Sequence, residues 1–229
     1  MENLYYSDII YLVSFLITLI AQIFVSASYS RYKKILNSKD NTGYDTARKI
    51  LDKNNLENIM ILETKGNLTD HYDPKRKVIK LSTDIYHGSS IASAAVAAHE
   101  CGHAIQDKNK YIPMRIRSAI VPFVNICTRL GYLAILIGLI FNRAPLLEAG
   151  IILLLAMLVF QLITLPVEFN ASKRALNELE KEKILDKEEK GNARNMLVAA
   201  AFTYVASVLS TLLQIFRLVL ISSSSDRRH

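Results

Sequence analysis

The chain is 229 residues long, 51% apolar and 21% charged, with a net charge of +7, two cysteines and no tryptophan. The apolar content excludes disorder, the unrelated settings of Cys101 and Cys127 exclude a disulfide scaffold, and apolar runs long enough to cross a bilayer exclude an ordinary soluble globule. What remains is a polytopic membrane protein with a modest polar region.

The first span is predicted from about Ile9 to Ala27. Only Glu2 and Asp8 precede it as charged residues, so the basic leader of a cleaved signal peptide is missing and a retained helix is expected. Ser14, Thr18, Gln22 and Ser26 recur every fourth residue, which puts them on one face and suggests packing against other helices.

A polar stretch follows. Residues 31–57 read as helix, with Tyr44, Ala47, Ile50 and Leu51 at helical spacing and Gly43 as a break before them. The period then shortens around Ile59, Ile61 and Leu68, with turn signals at Lys65-Gly66-Asn67 and Asp73-Pro74-Lys75-Arg76 and a short strand at Val78–Leu81. A small antiparallel sheet of two or three strands is expected. Its Val78–Leu81 strand either offers an edge to which a substrate could add or serves the fold alone.

An Ala-rich helix is predicted next, from about Ser90 to Asp107, and it contains His99-Glu100-Cys101-Gly102-His103. In this H-E-x-x-H pattern the two histidines lie one turn apart on one face, so both imidazoles reach a single ion. Glu100 is rotated by about 100° from His99, which suits it to handle a proton on water instead of binding the metal. Cys101 reads as a small packing residue.

Three more spans are predicted, at about Ala119–Phe141, Leu146–Leu165 and Met196–Ile221. The charge-alternating run Glu178–Lys190 reads as a solvated helix face, and Ser222–Ser225 as a flexible tail. Of the 28 basic residues, 16 lie in segment 28–117 and seven in segment 166–195. Four crossings put these segments on one side, which the positive-inside rule makes cytoplasmic, with both termini outside. The basic balance therefore needs no nucleic acid and fits an anionic lipid surface.

A catalytic zinc takes three protein ligands and leaves one position open. His71, His87 and His229 are the remaining histidines. Glu168 is the better third ligand, in Leu165-Pro166-Val167-Glu168-Phe169-Asn170-Ala171-Ser172, just past the third span and on the same side as the motif. Ser172 stands one turn further on the same face, placed to orient a ligand. For the oxyanion of peptide hydrolysis the candidate donors are His71, Tyr72 and Arg174, with nothing in the spacing to choose among them.

The blocks Ala97–Gln106 and Leu165–Ala175, together with Asp70-His71-Tyr72-Asp73-Pro74 and Lys80-Leu81-Ser82, resemble the bacterial neutral zinc metallopeptidases of the YugP type. The resemblance covers most of the chain. It implies zinc on His99, His103 and Glu168, with Glu100 as general base. A more distant similarity is to HtpX-type membrane gluzincins, whose downstream E-x-x-x-D differs here because Ser172 stands where aspartate would be. Asn170 is a possible substitute for that aspartate.

The expected architecture is thus mainly α, with four transmembrane helices and a small α+β zincin-like cytoplasmic domain. Residues 1–30 hold the first span, 31–117 the metallopeptidase region, 118–165 the second and third spans, 166–195 the segment with the third ligand, and 196–229 the last span and tail. The expected activity is zinc-dependent endopeptidase cleavage of membrane-proximal or unfolded proteins at the cytoplasmic surface of a bacterial cell membrane. The alternative is a non-catalytic membrane module with a structural zinc, which would need His71 or His87 as a fourth ligand. An intramembrane protease would carry the motif inside a span. A transporter would need more mid-membrane ionisable groups than Arg129 supplies.

Overall fold

A computed structural model describes residues 2–226; Met1, Arg227, Arg228 and His229 lie outside the described residues. The elements in chain order are α1 (Glu2–Tyr32), α2 (Gly43–Lys53), β1 (Met60–Thr64), β2 (His71–Asp73), β3 (Val78–Ser82), α3 (Thr83–His87), α4 (Ile91–Lys108), α5 (Ile112–Ile140), α6 (Ala144–Lys181) and α7 (Lys187–Asp226). Helices α1, α5, α6 and α7 are long and apolar enough to cross a membrane. The chain is therefore mainly helical, with a small α+β region between the first two long helices.

By internal contacts the chain forms two compact units. Of the described residues, one comprises 2–22, 116–165 and 203–226; the other comprises Ile23–Arg115 and Pro166–Phe202. The first unit is a bundle of the long helices' apolar stretches, with Ile135, Leu147, Ile151, Leu154 and Leu218 as a buried cluster. Within it α5 and α6 meet almost backbone to backbone. A Cβ on Gly150 would stand 2.9 Å from the Gly131 carbonyl oxygen, a close approach that only small residues allow. Gln161 Nε2 donates to Ser207 Oγ at 3.0 Å and links α6 to α7. The polar stripe of α1 is less buried than expected. Ser14 is buried and Ser26 half-buried, but Thr18 and Gln22 are exposed, and the hydroxyls of Ser14 and Thr18 bond carbonyls of their own helix.

The second unit is the α+β region completed by segments of α6 and α7. Its core gathers Ala47, Ile50 and Leu51 of α2, Ile79 and Leu81 of β3, the alanines of α4, and Val167, Ala175 and Leu179 of α6. The expected helix over 31–57 is two pieces with a loop between them. α1 stops at Tyr32, and α2 begins after Thr42, which caps it in a reciprocal pair with Asp45. The sheet is mixed and not antiparallel: its order is β1-β3-β2, with β1 parallel to β3 and β2 antiparallel to it. Val78–Ser82 is consequently the central strand, paired on both sides, and cannot offer the edge proposed for Val78–Leu81.

Two further expectations change near the C-terminal end. Glu178–Lys190 is no single helix face; α6 ends at Lys181 and a turn precedes α7 at Lys187. Ser222–Ser225 belongs to the last turn of α7. Helix α6 continues through Pro166 without interruption.

Candidate metal centre

Helix α4 supplies the first half of the site. Ser90 caps it by accepting the Ser93 N–H, and between Ile91 and His99 there is no charged residue, so the helix can be enclosed. Its residues from Ile91 to Gln106 are almost all buried. Long side chains would keep a second helix at a distance, but Gly102 faces α6: a Cβ there would lie 2.5 Å from the Ala171 carbonyl oxygen. The missing side chain lets the two backbones touch, and this contact brings Glu168, one turn earlier on α6, opposite His99 and His103.

His99, His103 and Glu168 come together, with ligand atoms all within 4.8 Å of one another. They are the only such group of three among the described residues. His99 Nε2 lies 3.3 Å and His103 Nε2 3.6 Å from Glu168 Oε2. The imidazole rings stand nearly perpendicular, at 88°, with centroids 4.8 Å apart, so the two Nε2 atoms converge from one helix face. Glu168 is 2% exposed, and such burial is costly for a carboxylate unless cationic or metal partners answer it.

The far nitrogens of both rings are also held. Ser172 Oγ lies 3.2 Å from His99 Nδ1. Gln106 Oε1 lies 3.0 Å from His103 Nδ1. Two imidazoles and a carboxylate, with His99 half-buried and the other two buried, and with polar partners behind the rings, form a donor set suited to a divalent transition metal.

Glu100 sits beside this group on α4 and accepts from the Tyr72 backbone N–H of β2. Burial pushes its carboxyl up to about 7; His99 opposes the rise, while Glu168 and Asp70 add to it. A carboxyl poised near neutrality can both take and return a proton. Asp70 fixes the strand entry by accepting from the Ser82 N–H at 2.7 Å and from the Ser82 hydroxyl.

The remaining candidates do not join the group. His71 is exposed and its Nδ1 bonds the Thr69 carbonyl. His87 is exposed and pairs with Glu63 at 3.3 Å. The Tyr72 hydroxyl donates to Asp107 at 2.7 Å, which ties β2 to the end of α4, and only its backbone N–H meets Glu100. Arg174 Nε donates to Asn170 Oδ1 at 2.7 Å. Asn170 contacts neither histidine ring directly in these bonds; its Oδ1 also accepts from Gln106 Nε2 at 3.0 Å. Cys101 is buried and its thiol faces the Ala47 carbonyl, a packing position, with burial pushing its pKa up.

Sequence reasoning missed Gln106 and Gly102 as parts of the site. Gln106 stands three residues after His103, the spacing of one helix face, and that spacing was the available signal.

The chain has a matching family and a close sequence relative among known proteins. Residues 7–223 match the family described as "Putative neutral zinc metallopeptidase". The chain is 42% identical over 201 residues, 88% of its length and 89% of the relative's, to a Bacillus subtilis (strain 168) protein named "Putative membrane protease YugP". No solved structure matches it.

Proposed function

The chain belongs to the neutral zinc metallopeptidase family, and from that premise we propose that it is a zinc-dependent endopeptidase of the bacterial cell membrane. Its substrates on this reading are unfolded or membrane-proximal protein segments, reached from the cytoplasmic face. The observation that carries the reading is the pairing of a three-residue donor set with a second carboxyl, Glu100, beside it. A closed structural site would use a fourth protein ligand, and among the described residues neither His71 nor His87 joins the group.

His99 and His103 would bind through Nε2 and Glu168 through a carboxylate oxygen. Zinc, when bound, supplies Lewis-acid polarisation of the scissile carbonyl and makes water a usable nucleophile near neutral pH. Glu100 takes the proton from the attacking water. It then delivers that proton to the departing amine nitrogen, so one carboxyl serves as base and acid in turn. The backbone N–H of Tyr72 orients Glu100 for both transfers. Ser172 and Gln106 hold the two imidazoles at their outer nitrogens.

The cytoplasmic orientation rests on charge. Segments 28–117 and 166–195, on one side of four crossings, carry 23 of the 28 basic residues. One experiment tests metal and orientation together: cleavage of added casein by inside-out and right-side-out membrane vesicles. The expected result is cleavage by inside-out vesicles alone, abolished by a zinc chelator and restored by zinc. Chelator-resistant cleavage would remove the zinc reading, and cleavage by intact right-side-out vesicles alone would reverse the orientation.

A further inference from the structure

His103 and His99 differ in what stands behind them. A serine hydroxyl, as at His99, can donate or accept, so it leaves the choice of tautomer open. An amide group is different, because its two ends have fixed roles once its orientation is known.

Gln106 is fully buried, and two of its neighbours fix its orientation. The Val167 carbonyl oxygen, 2.7 Å away, can only accept, so the atom facing it is the Nε2 amino group. The same group donates to Asn170 Oδ1 at 3.0 Å. That oxygen is identified in turn by Arg174, a donor only, whose Nε bonds it at 2.7 Å. Gln106 Oε1 therefore points at His103 Nδ1, and an acceptor there requires that Nδ1 carry the proton. His103 Nε2 is left facing Glu168, the position from which it would reach an ion.

We propose that Gln106, oriented by Val167, Asn170 and Arg174, is a positioning residue that sets His103 in its Nδ1–H form and so presents its Nε2 as a ready metal ligand. The network also bridges the two elements of the site, since Gln106 and His103 are on α4 while Val167, Asn170 and Arg174 are on α6. It thus fixes the ring and joins the helices that must converge on one ion. The proposal rests on the zinc-site reading of the previous subsection.

The test needs no peptide substrate. Zinc affinity is measured by chelator competition on the detergent-purified full chain, and the His103 ring nitrogens are observed by 15N NMR in the metal-free protein. The expected spectrum shows His103 protonated at Nδ1. Gln106→Leu is expected to lower zinc affinity by about 10- to 100-fold, the usual cost of losing an outer partner. If that variant fails to fold, the Asn170 pair decides. Asn170→Leu should weaken zinc binding by about tenfold, while Asn170→Asp, which keeps an oxygen for both Gln106 and Arg174, should stay within about threefold of wild type. Unchanged affinity in Gln106→Leu, unchanged affinity in both Asn170 variants, or a His103 ring with no proton at Nδ1, overturns the proposal while zinc binding by the wild type leaves the metal site standing. A wild-type chain that binds no zinc overturns both.

Discussion

Glu100 sits in an environment that works against its charge. It is buried, and two carboxylates, Glu168 and Asp70, raise its pKa further, to about 7. The sign of the resulting linkage follows. Raised above its unfolded value, Glu100 contributes most to folding of the metal-free protein below about pH 4, as the neutral acid, and that contribution is lost as pH rises through about 7. Glu100→Gln cannot ionise, so the metal-free variant should exceed wild type in stability by up to about 3 kcal/mol at pH 8 and by little at pH 4. Thermal unfolding of both proteins across that range checks this; parallel curves would contradict it. At this scale the sequence is informative where chemistry depends on helical spacing: His99 and His103 share a face by geometry alone. It is silent where a side chain's partner comes from a distant element. Tyr72 reads as a possible oxyanion donor until the fold brings Asp107 to its hydroxyl. The amide orientation of Gln106 is set by Val167 and Asn170, more than 60 positions away.

At the scale of elements, the site depends on how closely α4 approaches α6. Gly102 sits at that crossing, and a methyl group there meets the Ala171 carbonyl at 2.5 Å. Both atoms belong to buried helices, so the strain has no flexible side chain to absorb it. Gly102→Ala should destabilise the fold by about 1–3 kcal/mol and reduce bound zinc, because separating the backbones draws Glu168 away from the histidines. Full zinc content with an unchanged melting temperature would contradict this. The glycine lies inside the H-E-x-x-H motif, where its sequence position says nothing about a packing role. The sheet shows the same limit. Strands β1 and β3 and the turns at Gly66 and Pro74 were legible in the sequence, but β2 and the strand order were not, and Leu68, read with the first strand, lies outside it with a positive φ. With β3 between them, the connection from β1 to β2 passes over the place that β3 fills, and local pattern does not encode that crossover. Val78–Ser82, read as a possible edge, is buried along nearly its whole length, as a central strand is. Helix α3 was missed because five residues carry too little periodicity to register.

For the whole molecule, four long apolar helices were the plainest message of the sequence, since a span announces itself by composition over about 20 residues. Their true ends were harder to read. Helices α6 and α7 run well past their apolar stretches, to Lys181 and back to Lys187, and their polar segments build the core of the α+β unit. Helix α6 in this way carries both a membrane-length apolar stretch and the residue that completes the metal group. The third member of the donor group is therefore supplied by a continuous helix and needs no separate loop. The central claim is that this group serves peptide hydrolysis with Glu100 as the proton carrier. The most direct measurement is casein cleavage by the detergent-purified chain and by Glu100→Gln, with zinc content determined in both. The account predicts equal zinc in the two proteins, cleavage by the wild type and a loss of at least about 100-fold in the variant. Equal cleavage by both would contradict it.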